Sequence, residues 1–221
     1  SALAMTWHLV HFHYVKFNKE SMYEVSKKII LLCIPLLLSA QFIAGILNEA
    51  LDLTDTNQEL FISMSHNIFG VLSIAIVVPI LEEVLFRGAI EGHLLRKGWS
   101  PKWAILVSAL IFGIIHGNPA QIPFAFLIGL LFGWLYYRTG SLVPGIVGHI
   151  INNSFGAWTM FTATREELSQ TTMETLGTTI TYILLVLAII VFIGMYLYLN
   201  KYLPKPVSYT HLRAHETEAD L

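Results

Sequence analysis

Three short strings in this chain carry groups capable of acid–base chemistry, each set in an apolar run. PILEEVLFRGAIEG holds Glu82, Glu83 and Arg87; FGIIHG holds Phe112 and His116; GHIINN holds His149, Asn152 and Asn153. On a helix Glu83 and Arg87, four apart, share a face and can form a charge-assisted pair that occupies the Glu83 carboxylate. Glu82, about 100° further round, is left without that partner, and in a poorly hydrated cavity it suits the work of a general base. His149 and Asn153 are also four apart and can aim at one point, where an imidazole N–H and an amide N–H suit a developing oxyanion. Phe112 stands one turn before His116 and can pack beside its ring.

Blander readings exist for each set. A Glu83–Arg87 pair can be purely structural, and a lone intramembrane histidine can simply hydrogen-bond a neighbouring helix. Against this, the groups lie on three different apolar segments and are almost the only polar groups there. Ionisable residues inside membrane segments are costly, and they mark functional sites by default.

The elements that must position these groups are legible from hydropathy. A transmembrane helix needs about 20 mostly apolar residues, and six segments meet or approach that: 29–47, 67–90, 101–116, 122–137, 142–161 and 178–199. Ser100 as N-cap with Pro101 behind it opens the third. Basic residues collect on the cytoplasmic side of membranes. Ten of them (Lys16, Lys19, Lys27, Lys28, Arg96, Lys97, Lys102, Arg138, Lys201 and Lys205) fall on one side of the alternation. The opposite loops hold Arg165 alone, beside Asp52, Asp55, Glu59, Glu166, Glu167 and Glu174. The expectation is an all-α polytopic transmembrane bundle of about six spans with both termini cytoplasmic. The GxxxG steps at Gly129/Gly133 and Gly113/Gly117 read as close helix packing. Tyr136, Tyr137 and Arg138, with Trp99, Trp103 and Trp134, read as interfacial anchors.

Composition agrees. Of 221 residues, 55% are hydrophobic and 13% charged, half the charge of a typical soluble domain of about 25%. Mean hydropathy is +0.63, which places the chain in the membrane class. Cys33 is the single cysteine, excluding a disulfide framework or a CxxC metal knuckle. No phosphate loop and no basic stripe point to nucleotide or nucleic acid.

The three strings carry a family resemblance. EEVLFR at 82–87 matches the EExxxR signature of the CAAX-protease and bacteriocin-processing family (the Rce1-like, or Abi, membrane proteases). FGIIH at 112–116 matches its FxxxH motif, and His149 to Asn153 matches its HxxxN motif, approached through TGSLVPGIVGHIINN. The resemblance spans about 69–158, with the motifs in family order on separate helices. It implies an intramembrane endopeptidase that cuts near a substrate C-terminus or removes a leader. It further implies that Glu82 and His116 activate the attacking water, that His149 and Asn153 stabilise the oxyanion, and that Glu83 and Arg87 support them.

The expected partners are a peptide or protein substrate, membrane-associated or lipidated, and the lipid bilayer. The expected location is the cell membrane, or the endoplasmic reticulum membrane in a eukaryote. One carboxylate and two histidines, Glu82, His116 and His149, could instead hold a catalytic Zn²⁺ with an open position. The lack of an HExxH helix and the suitability of Asn153 as a donor favour a reaction without cofactor. Two rival functions remain, a non-catalytic bacteriocin-immunity or scaffold protein and a proton-coupled transporter. Residues 1–28 read as a cytoplasmic segment, truncated before Ser1, whose His8, His11 and His13 belong to an approach helix rather than a metal site. Residues 29–200 form the membrane domain, 201–206 a cytoplasmic end, and 207–221 a sequencing-adaptor artefact.

Overall fold

The computed structural model describes residue 11 and residues 25–203. The readings of the terminal tail and of His8 and His13 lie outside these residues. Among the described residues every regular element is helical. Helix α1 (Lys27–Glu49) opens on Ser26, whose hydroxyl accepts from the Ile29 amide, and it carries Pro35 in its interior. The short α2 (Gln58–Ser65) follows. The long α3 (Ile68–Arg96) starts where the Asn67 side chain accepts from the Phe69 amide. Next come α4 (Pro101–Ile115) and α5 (Ile122–Thr139), the latter stopped by Gly140 at φ 67°, a left-handed cap that glycine adopts without a Cβ clash. Helix α6 (Val143–Thr162) is followed by single-turn helices α7 (Arg165–Ser169) and α8 (Thr172–Leu176). Each of these two is fixed by a capping box, Thr164 with Glu167 and Thr171 with Glu174. Helix α9 (Thr178–Tyr202) ends the described chain.

All six expected segments are helices, within three residues at each end except for the second, which runs six residues further, to Arg96. By length and composition, four of them (α1, α3, α5 and α9) are long and apolar enough to cross a membrane, and α4 is a shorter apolar helix. Helix α6 has the length, 20 residues, but its polar GHIINN string dilutes its hydropathy. The three short helices were not anticipated, because each is too short to show as a hydrophobic run: α2 spans eight residues, and α7 and α8 are single capped turns.

Three buried clusters hold the bundle, a small one of Phe86, Phe112 and Ala125 and two larger ones. Cys33, Leu36 and Leu37 of α1 meet Ile128, Phe132 and Leu135 of α5 and Leu199 of α9 in one. Val84, Ala89 and Leu95 of α3 meet Ala104, Tyr136 and Leu142 in the other. Glycines set the closest approaches. A Cβ on Gly148 would stand 2.4 Å from Leu37 Cδ1, and one on Gly129 would stand 3.2 Å from Ala109 Cβ, so these positions admit no side chain without movement. Gly129 and Gly133 therefore act as the GxxxG step suggests. Gly117 does not: it lies in the turn after α4 at φ 62° with open space around it. Tyr136 is likewise buried in the second core rather than anchored at an interface. Trp134 packs on Tyr196, with centroids 4.8 Å apart, whereas Trp99 and Trp103 are exposed.

Hydrogen bonds sort the connections into two ends. At one, Arg138 bonds Asn200 Oδ1, and its Nη2 donates to Asn200 O (2.9 Å) and Leu203 O (3.3 Å), satisfying carbonyls at the close of α9. At the other, Asn48 donates to Ala120 O (2.8 Å), Asn118 to Asp55 Oδ1 (2.7 Å), and Thr172 to Glu49, while Arg165 pairs with Glu59. Arg138 thus lies at one end of α5, and the contacts of Glu49, Asp55 and Glu59 lie at the other.

Helical arithmetic places His116 ~22 Å along its helix and His149 ~10 Å along its own, depths too different for one site if both helices start at the same level. His116 and His149 nevertheless line one cavity, and the turn between α5 and α6 is covered by protein. Thr139, Ser141 and Leu142 are all buried, so α6 starts inside the protein. The turn's polar groups are met locally. Thr139 Oγ1 donates to Leu135 O (2.7 Å), the Ser141 amide donates to Thr139 Oγ1 (3.2 Å), and the Val143 amide donates to Ser141 Oγ (3.2 Å). A buried turn without such partners would strand backbone donors.

Candidate active site

Helix α3 carries most of the chemistry and is not a uniform helix. Its stretches Ser73–Val77 and Val84–Glu91 are π-helical, flanking an ordinary α-turn set, Val78–Glu83, that includes Pro79. Wide π-turns cluster at functional sites because they re-aim side chains at little cost in backbone bonding. Here they bracket Glu82 and Glu83.

Glu83 is fully buried and is the hub of the site. Its Oε1 accepts from Arg87 Nη1 at 3.0 Å, the pair expected from the spacing, and lies 3.1 Å from His149 Nδ1. Arg87, itself 1% exposed, also donates from Nη2 to the Gly129 carbonyl at 3.0 Å. Its guanidinium carbon lies 4.5 Å from the Phe112 ring centroid and 5.3 Å from that of Phe132. Gly145 on α6 makes room for the carboxylate: a Cβ there would sit 2.6 Å from Glu83 Oε2.

His149 lies between two carboxylates, with Nε2 3.4 Å from Glu82 Oε2 and Nδ1 on Glu83. A ring that donates from Nδ1 to Glu83 can also donate from Nε2 only when it carries both protons. The donor role expected of a neutral His149 therefore needs either the imidazolium or the other tautomer. Phe112 organises both histidines, with its ring centroid 4.9 Å from that of His116 and 5.7 Å from that of His149, each edge to face. His116 Nδ1 lies 2.7 Å from the Phe112 carbonyl. That oxygen can only accept, so Nδ1 carries a proton, and in the neutral ring the lone pair lies on Nε2. Asn153 donates from Nδ2 to Ile74 O at 2.9 Å, where the first π-helical stretch turns toward it, and accepts from Asn152 at 3.0 Å.

Glu82, His116, His149 and Asn153 all line one cavity of about 440 Å³. Glu83 and Arg87 lie behind its wall, and Phe112 forms part of that wall. The four sequence-selected groups and their three supports are thus brought together from α3, α4 and α6. Among the described residues no three His, Cys, Asp or Glu side chains converge as a metal-ligand set.

Two contributors escape a motif reading. Phe132 packs 5.3 Å from the His149 ring but looks in sequence like any apolar residue of α5. Glu91 is fully buried with neither carboxyl oxygen hydrogen-bonded. Its signal, a third acid two turns after Glu83 on the same apolar helix, is present in the string AIEG.

Comparison with known proteins reaches the same segment. Residues 64–155 match the family model "Type II CAAX prenyl endopeptidase Rce1-like". The chain is 38% identical over 81 residues to the putative membrane peptidase YdiL of Bacillus subtilis, covering 37% of this chain and 33% of that protein. It is 33% identical over 106 residues to the membrane-embedded CAAX protease MroQ of Staphylococcus aureus, covering 46% and 42%. It is 28% identical over 122 residues to the UPF0177 protein YxdF of Lactococcus lactis, covering 55% and 63%. The chain therefore spans between about a third and two thirds of the length of these curated relatives. No solved structure matches it significantly.

Proposed function

We propose, from the match of residues 64–155 to the Rce1-like CAAX endopeptidase model, that this membrane protein is an intramembrane endopeptidase that hydrolyses a peptide bond without a metal. The observation that carries the reading is the convergence of Glu82, His116, His149 and Asn153 on one cavity. Glu82, its side chain 23% exposed into that space, takes a proton from the attacking water, and His116 holds the water through its free Nε2. His149 and Asn153 then receive the oxyanion of the tetrahedral intermediate. The Glu83–Arg87 pair fixes the His149 ring, a positioning role supported by the shared Glu83 oxygen. The protein is a multi-pass protein of the cell membrane with its basic loops cytoplasmic. Its substrate is a peptide or protein segment that is cut near its end or loses a leader.

The test is cleavage of a peptide set by the purified full chain, read by mass spectrometry, beside Glu82→Gln, each with and without chelator. Cleavage by the wild type that is lost in the variant and indifferent to chelator is the expected result. Loss with chelator that zinc restores overturns the metal-free step, and turnover retained by Glu82→Gln overturns the role of Glu82.

A further inference from the structure

We infer that the cavity takes an internal, uncharged apolar stretch of its substrate and does not read a free C-terminal carboxylate. The inference rests on the protease reading for its chemistry and on the cavity wall for its substrate. Apolar side chains such as Phe61, Met64, Ile74, Val78, Phe124 and Ile128 make up most of that wall, and among the described residues no Lys or Arg lines it. The polar groups there are Glu82, His116, Gln121, His149, Asn152 and Asn153.

A buried carboxylate needs a partner, because stripping its water without one costs several kcal/mol or more. Proteins that capture chain ends supply either a guanidinium fork or a nest of free backbone amides. The wall offers no guanidinium fork, and its donors His149 and Asn153 are those assigned to the oxyanion. Arg87 is committed to Glu83 and to the Gly129 carbonyl, and the Phe112 and Phe132 rings that line the cavity cover its guanidinium. The start of α5 borders the cavity, but it has few donors to give. The Gln121 and Ile122 amides both bond the Asn118 carbonyl, at 2.9 and 3.1 Å, and Pro123 has none. Glu82 would repel a carboxylate placed beside it. What the wall does provide is amide chemistry, from Gln121 and Asn152, which matches the N–H and C=O groups of a peptide backbone in mid-chain. A volume of about 440 Å³ is in the range of ligand pockets and leaves room for the apolar side chains flanking a scissile bond.

The test uses peptides built on one Leu-Phe-Ala-Leu core in three forms. One has the core central and the C-terminus amidated, a second ends two residues past the core with a free acid, and a third has the core interrupted by Asp. Binding to the full chain in nanodiscs is measured by fluorescence anisotropy, and cleavage by mass spectrometry. The amidated form should bind and be cut at least as well as the free acid, and at least tenfold better than the Asp form. Gln121→Lys, which sets a cation on the wall, should move the order toward the free acid. A tenfold preference of the wild type for the free acid overturns the inference, as does failure to bind any form. An unchanged order in Gln121→Lys overturns this cavity as the peptide's place. Binding in the expected order with no cleavage leaves the inference standing and removes the protease reading instead.

Discussion

Helices α3 and α9 are both long and apolar enough to cross a membrane, yet they do opposite things. In α3, 22% of the most apolar window is buried against the protein, and the helix contributes Glu82, Glu83, Arg87 and Glu91 to the interior. In α9 the figure is 6%, and its contacts are chiefly with α1. Hydropathy sets membrane residence for both, whereas charge placement decides which helix other helices must surround. A charged group in lipid has to find a partner or a wet cavity, and α3 finds both, through α5 and α6 on one side and the cavity on the other. Helix α9 carries no such demand along its apolar length and can leave most of its surface to lipid.

The sharpest way to break this contrast is at Glu82. Glu82→Gln removes the proposed base while keeping shape and hydrogen-bonding capacity. Cleavage should fall at least about 10²-fold with an unchanged melting temperature, and a comparable loss of stability would show that the residue is structural instead. Second is Arg87→Met, which strands Glu83 beside His149. Breaking a buried pair from one side costs about 3–5 kcal/mol, to be read as lost folded yield and a lowered melting temperature. The double change with Glu83→Gln should recover part of that loss, because the two residues act as one unit.

A matched pair of glycines sharpens the comparison between the helices themselves. Gly145→Ala places a Cβ 2.6 Å from Glu83 Oε2. Such overpacking costs about 1–3 kcal/mol, and it should lower activity by pushing the carboxylate off His149. Gly194→Ala, in α9 with open space around it, should be neutral or stabilising by about 0.5–1 kcal/mol. Equal melting shifts in the two variants would abolish the distinction drawn between the helices.

The smallest effect belongs to the exposed pair Glu59–Arg165, the surface counterpart of Glu83–Arg87. The hydrogen bond from Arg165 holds the Glu59 carboxyl below its usual range. A depressed carboxyl adds stability above its unfolded value and loses it as pH falls through its folded one. Both side chains are about two-thirds exposed or more, so Glu59→Gln should leave melting at neutral pH unmoved in physiological salt. A clear drop would mean that this loop contact closes the cavity end of the bundle.

Much of this architecture was legible because its causes are local. Apolar runs gave six helices to within three residues, apart from the end of α3, and the i,i+4 rule gave the Glu83–Arg87 pair and the placement of Phe112 against His116. Glycine spacing was less informative. The same GxxxG pattern is a packing seam at Gly129/Gly133 and ends in an open turn at Gly117, since spacing does not say whether a second helix is present. Tyr136 was misread for a related reason: an aromatic near a helix end looks like an anchor until another helix covers it.

By itself the sequence determined that the chain is helical and membrane-resident, and it singled out the few side chains able to do chemistry. Those follow from hydropathy, periodicity and residue type, which act over a turn or two of helix. Only the tertiary structure decided that α6 begins inside the protein, that Glu83 serves Arg87 and His149 with one oxygen, and that Arg87 is walled off from the cavity by two rings. Each of these depends on groups 25 or more residues apart in the chain coming together, as Arg87 does with Phe112 and Glu83 with His149, and no local pattern carries that distance.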